Sequence, residues 1–187
     1  LVTIAPGMEP QEVVKAVQPL ALVYHGEMTD RAFQNGDMHA VREYTKKVRQ
    51  TGVLVGVSTH KPEVIAKIED EGWDVDCYFA CAYNRRRTKE ELLKLLGEIP
   101  VPASEVYLQG DPARMYKVVR QTKRTCFVFK ILAAGRLCNT PESMDEAFRT
   151  AFECIKPGDC VMVGMSQRLK DEVRENAERA QRILVRG

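Results

Sequence analysis

"GVLVGVSTHKPEVI", residues 52–65, decides the fold. Val53 to Ser58 is a β-branched run with little polar alternation, the pattern of a strand covered on both faces. Thr59 and His60 close it, and Pro62 stands where the first turn of a helix tolerates proline, so a helix is expected to follow. The same unit recurs along the chain. "LVTIA" (1–5), "ALVYH" (21–25), "VDCYFACAY" (75–83), "CFVFKIL" (126–132) and "CVMVGM" (160–165) are the other strand candidates, each read as buried on both faces.

Helical segments lie between these runs. Thr88 with Glu91, and Ser143 with Glu146, fit capping boxes, while Asp111 before Pro112 is expected to be an N-cap. Met144, Ala147, Phe148, Ala151, Phe152 and Ile155 form one apolar stripe of helical period. Leu169, Val173, Ala177, Ala180 and Leu184 are expected to do the same on a closing helix. Alternating strands and helices imply right-handed βαβ units and a parallel sheet. An open doubly wound sheet fits six strands, but no G-x-G-x-x-G follows a strand and no Walker loop is present. The other candidate, which the residues at the strand ends and the resemblance they carry favour, is α/β of the (β/α)8 TIM-barrel type, as a single domain over residues 1–187. A complete barrel needs eight strands and typically ~250 residues, so its first strands are expected to be missing from this chain.

Composition narrows the partners. The 28 basic and 26 acidic residues leave a net charge of +2 and are scattered, which argues against nucleic acid or an anionic membrane as partner. No apolar run approaches the ~20 residues of a membrane span, and "LVTIAPGMEP" has neither a charged leader region nor a cleavage site. A cytoplasmic protein is expected, and without an initiator Met the chain reads as a fragment or a processed form. The six cysteines are spread through apolar segments and are expected to be reduced core thiols.

In parallel α/β folds the functional face lies at the C-terminal ends of the strands. The residues expected there are His25 and Glu27, then Ser58, Thr59 and His60, then Tyr83 and Asn84, then Lys130, then Gly164 and Ser166. A histidine so placed can donate a proton, stabilise an oxyanion or bind a metal, because it titrates near neutrality through two ring nitrogens. His39, in a polar segment, is expected to be solvated. "NRRRTKEE" (84–91) sets three arginines beyond a strand end, where they can grip a phosphate or carboxylate or form a solvated loop.

The strand "LVYHG", the 52–65 unit followed by "VDCYFACAYN", the strand "FKILAAGRL" and the ending "VMVGMSQRLKDEVRENAERA" together resemble, in order, the last part of the aldo/keto reductase superfamily. The resemblance implies an NAD(P)H-dependent oxidoreductase acting on a small carbonyl substrate, with His25 polarising the carbonyl. It further implies NADP or NAD bound by Ser58 and Thr59 in place of a Gly-Val-Ser-Asn element, by Phe129 in place of a stacking tyrosine, by Gly164, Ser166 and Arg168, and by Glu175 and Asn176 near the adenine. Glu27, His60, Tyr83 and Asn84 are the candidate substrate residues. Several positions depart from that pattern. Thr59 replaces an asparagine, Glu172 stands where a basic residue is usual, no glutamine occurs in "VDCYFACAYN", and "LVTIAPG" offers Thr3 and Ile4 where a lysine is wanted.

Three other readings stand beside it. Lys130 in an apolar barrel mouth suits a Schiff base, because desolvation disfavours the ammonium form. His25, Glu27 and His60 suit a metal-dependent hydrolase or oxygenase. A degenerate barrel that binds a ligand without catalysis fits the missing motif residues. An incomplete barrel would expose strand edges, so self-association or a bound N-terminal segment is expected.

Overall fold

The computed structural model describes residues 1–4 and 7–186; the end of the first expected strand, at Ala5, lies outside the described residues. Six strands form, β1 (Val2–Ile4), β2 (Ala21–Tyr24), β3 (Leu54–Thr59), β4 (Cys77–Cys81), β5 (Thr125–Phe129) and β6 (Cys160–Met162). They make one sheet in the order β1-β2-β3-β4-β5-β6, every pair parallel, curled into a half-barrel. A doubly wound sheet reverses its strand order at a switch point. This one never reverses, so right-handed crossovers carry the helices to one side throughout.

That side is the core. Leu22, Tyr24, Val55, Val57, Tyr78, Ala80, Cys126 and Val128 alternate along β2 to β5 and pack against the helices. The covering layer includes Val41 and Val48 of α3 (His39–Arg49) and Val64, Ile65 and Ile68 of α4 (Pro62–Asp70). It continues through Met115, Tyr116 and Val119 of α6 (Asp111–Gln121) and Phe148 and Ala151 of α7 (Pro141–Cys154). Three further helices, α1 (Pro10–Val17), α2 (Gly26–Gln34) and α5 (Lys89–Leu96), and the closing α8 (Glu172–Arg186) complete the alternation.

The opposite, concave face carries Val23, Gly56, Ser58, Cys77, Phe79, Phe127, Phe129, Cys160 and Met162, as the strand register requires. It is tightly filled at its centre. A Cβ on Gly56 would lie 2.7 Å from Val23 Cγ2 and 3.0 Å from Cys77 Sγ. Gly56→Ala is therefore expected to overpack this layer and cost about 1–3 kcal/mol, read as a lower urea midpoint with an unchanged slope; an unchanged midpoint would show that the layer yields freely. Burial raises the Cys77 and Cys81 thiols to about 11 and about 12, which makes them inert core groups.

Several sequence expectations are corrected here. β1, β5 and β6 are not covered on both faces: Thr3 is exposed, Phe127 and Phe129 are half-buried, and Cys160 and Met162 are exposed, because no described element crosses the concave side there. The capping box of Thr88 with Glu91 forms, but α7 is capped by Thr140 with Ser143 rather than by Ser143 with Glu146, since Pro141 takes the first helical position. Asp111 is the first residue of α6, after Gly110, and its carboxylate is held by Arg87 and by the Leu108 N–H. On α8 the inward face is Asn176, Arg179 and Ile183, while Leu169, Val173 and Leu184 are exposed. The helix docks through polar contacts, with Arg179 donating to Asp145 at 2.7 Å and lying over the Phe148 ring.

Candidate functional site

Two strand ends, those of β2 and β3, lead almost at once into a helix, and this sets the site. β2 stops at Tyr24, His25 occupies the N-cap position, and α2 begins at Gly26. Gly26 is the closest approach of α2 to β3: a Cβ there would sit 2.8 Å from Ser58 Oγ and 3.4 Å from His60 Cε1. The buried stripe of α2 runs through Gly26, Thr29 and Asp30, two of them polar. Asp30 is 0% exposed and His60 6%.

A buried carboxylate needs donors, and β3 supplies them. Asp30 Oδ2 lies 2.6 Å from His60 Nδ1, and the carboxylate also accepts from the His60 backbone N–H at 3.2 Å and from the Thr59 hydroxyl. With Nδ1 committed to Asp30, Nε2 is the ring nitrogen left free, the arrangement that orients an imidazole for proton transfer.

Around this dyad opens a cavity of about 350 Å3 at the C-terminal end of the sheet. Its wall includes His25, Glu27, Ser58, His60, Phe79, Phe129 and Met162. Arg85, Arg86 and Lys130 line it against a single carboxylate, Glu27. Arg86 pairs with Glu27 and Arg85 with Glu105, yet the Nε atoms of both arginines are buried without a hydrogen-bond partner. Burial lowers the pKa of Lys130, opposed by the nearby Cys81 and reinforced by Arg85 and Arg86.

A scan against protein-family models matches none, and a search of curated proteins finds no match.

Six of the residues singled out in the sequence line this cavity together: His25, Glu27, Ser58, His60, Phe129 and Lys130. The others lie elsewhere. Thr59 is buried and committed to Asp30. Tyr83 is buried, 5.3 Å from the Tyr107 ring, and faces a separate cavity of about 400 Å3 on the helical side. Asn84 accepts from the Arg86 N–H at 3.2 Å and shapes the arginine loop. Gly164, Ser166 and Arg168 are exposed after β6. Glu175 pairs with Lys170 at 2.6 Å, and buried Asn176 accepts from Arg179 at 2.8 Å, both on α8. His39 is exposed at the start of α3. Among the described residues no group of three His, Cys, Asp or Glu side chains can hold a metal ion, so His25, Glu27 and His60 share a wall without forming a ligand set. Among the described residues, no helix is long and apolar enough to cross a membrane.

Sequence reading missed Asp30, the residue that organises the site. A signal exists in "GEMTDRAFQ": positions 26, 29 and 30 form the inward i, i+3, i+4 face, and an aspartate on such a face implies a buried partner.

Proposed function

We propose that this cavity is the active site of an enzyme acting on a small carbonyl compound that carries a carboxylate or phosphate. His60, oriented by Asp30, moves the proton, and Arg85 and Arg86 take the anionic group. The observation that carries this reading is the pair of guanidinium groups, Arg85 and Arg86, lining one cavity with an Asp-oriented histidine. An anion in that place meets charge-assisted donors in a partly dry wall, where such bonds are each worth about 1.5–3 kcal/mol. Calorimetric titration with pyruvate, dihydroxyacetone phosphate and inorganic phosphate tests it. Saturable binding to at least one, weakened by roughly tenfold or more in an Arg85→Ala/Arg86→Ala double variant that still melts cooperatively, is the expected result. Absence of binding to all three by folded protein removes the proposal.

A second reading, reduction of that carbonyl with NADPH or NADH, is supported by the convergence of His25, Ser58 and Phe129 on one wall. These three suit the nicotinamide end of such a cofactor. The residues expected at its adenine end do not fit: Asn176 is already hydrogen-bonded to Arg179, and Glu175 to Lys170. Cofactor fluorescence on titration with NADPH, with His25→Ala as control, separates this reading from the first.

A further inference from the structure

We infer that Lys130 is a covalent nucleophile of this site, its Nζ forming an imine with the carbonyl of the anionic compound held there. The inference rests on the anion-binding reading and adds the reaction that reading leaves open.

Four observations carry it. Lys130 follows the last residue of β5 and lines the same cavity as His60, Arg85 and Arg86. No carboxylate lies within ion-pair distance of Lys130 among the described residues, whereas Lys61 and Lys156 both have one, at 3.1 and 2.6 Å. A structural lysine in a half-buried wall normally finds such a partner. Its backbone is also unusual. Lys130 has φ 60°, and Ala133 and Ala134 follow with φ 49° and 53°, left-handed conformations that residues with a Cβ rarely adopt. The turn is locked by the Ala133 N–H donating to the Lys130 carbonyl at 2.8 Å, so the strain fixes where this side chain leaves the strand. Finally, burial holds its pKa below the ordinary lysine value, which raises the fraction of free amine near neutrality.

The chemistry balances with the groups present. Neutral Nζ attacks the carbonyl carbon; the C–N bond forms as the C=O π electrons pass to oxygen, which takes a proton from protonated His60. The nitrogen returns a proton to His60 Nε2, and the carbinolamine hydroxyl then takes it and leaves as water while the nitrogen lone pair closes the C=N bond; the protonated imine gives its proton back to His60. Arg85 and Arg86 keep the carboxylate or phosphate in place during both stages. An Asp-oriented imidazole and an amine in one cavity are the combination this sequence of proton transfers needs.

The test is reductive trapping. Protein is incubated with pyruvate and sodium cyanoborohydride, and in parallel with dihydroxyacetone phosphate, then digested and mapped by mass spectrometry. Expected is an N-carboxyethyl group on Lys130 with pyruvate, at roughly tenfold or more the occupancy of any surface lysine, because the reactants are held together. Lys130→Arg keeps the charge and cannot form the imine, so it is expected to bind the anion, melt normally and show no site-selective adduct. Even labelling of lysines, or none at Lys130, in protein that binds pyruvate or dihydroxyacetone phosphate by calorimetry overturns the nucleophile and leaves the anion site standing. Neither binding nor labelling overturns both.

Discussion

Asp30→Ala is expected to lower the unfolding free energy by about 3–5 kcal/mol, the largest effect of any single change in the site. Asp30 is fully buried and accepts from three donors, the Thr59 hydroxyl, the His60 N–H and His60 Nδ1. Alanine leaves those donors inside the protein with no acceptor, and each orphaned donor costs about 1–3 kcal/mol. The Thr59 hydroxyl recovers part of this, since it already lies 3.3 Å from the Lys61 carbonyl. Asp30→Asn keeps the shape and one acceptor oxygen but turns an amide toward the remaining donors, so it is expected to fall between wild type and alanine. Urea unfolding measures all three. A loss below about 1 kcal/mol for alanine would mean that water or a side-chain shift satisfies His60, and that the dyad is not a fixed feature. His60 freed from Asp30 also loses its assigned tautomer, so anion binding should survive in the asparagine variant while imine trapping at Lys130 falls.

This prediction could not have been written from the sequence, and the reason is geometric. The six strands were legible because central strands of a singly wound sheet are covered on both faces and read as apolar runs; β2, β3 and β4 are buried almost throughout. The site residues His25, His60 and Lys130 were legible because they sit at strand ends, where the fold puts chemistry. Asp30 was not, since it lies on a helix and gains meaning only when α2 crosses the end of β3. The register of α8 escaped for a related reason. Its hydrophobic positions compete with Arg179, which reaches Asp145 and stacks near Phe148, and two specific polar contacts rotate the helix away from its apolar stripe. The arginine run shows the same limit: composition alone leaves solvated loop and anion grip equal, and only the placement of each guanidinium separates Arg85 and Arg86 from Arg87.

Arg87 carries the second large effect. Its guanidinium grips both oxygens of Asp111 and donates to the Asn84 carbonyl, and the two side chains are only 3% and 2% exposed. Asp111→Ala leaves a buried cation facing an empty place and is expected to cost about 3–5 kcal/mol, whereas Arg87→Met with Asp111→Leu, which removes both charges, should recover most of that loss. The pair also has a consequence for the site. It ties residues 84–87 to the start of α6, and that short segment presents Arg85 and Arg86 to the cavity. Asp111→Ala should therefore weaken anion binding even at temperatures well below its melting point, through mobility of two arginines it never touches. The charge-free double variant separates the two roles. If it regains both stability and affinity, the pair acts by holding the loop, as the geometry implies; if stability returns and affinity does not, the Arg87 charge itself contributes to the potential that attracts the anion, and the cavity's cation set must be drawn to include it.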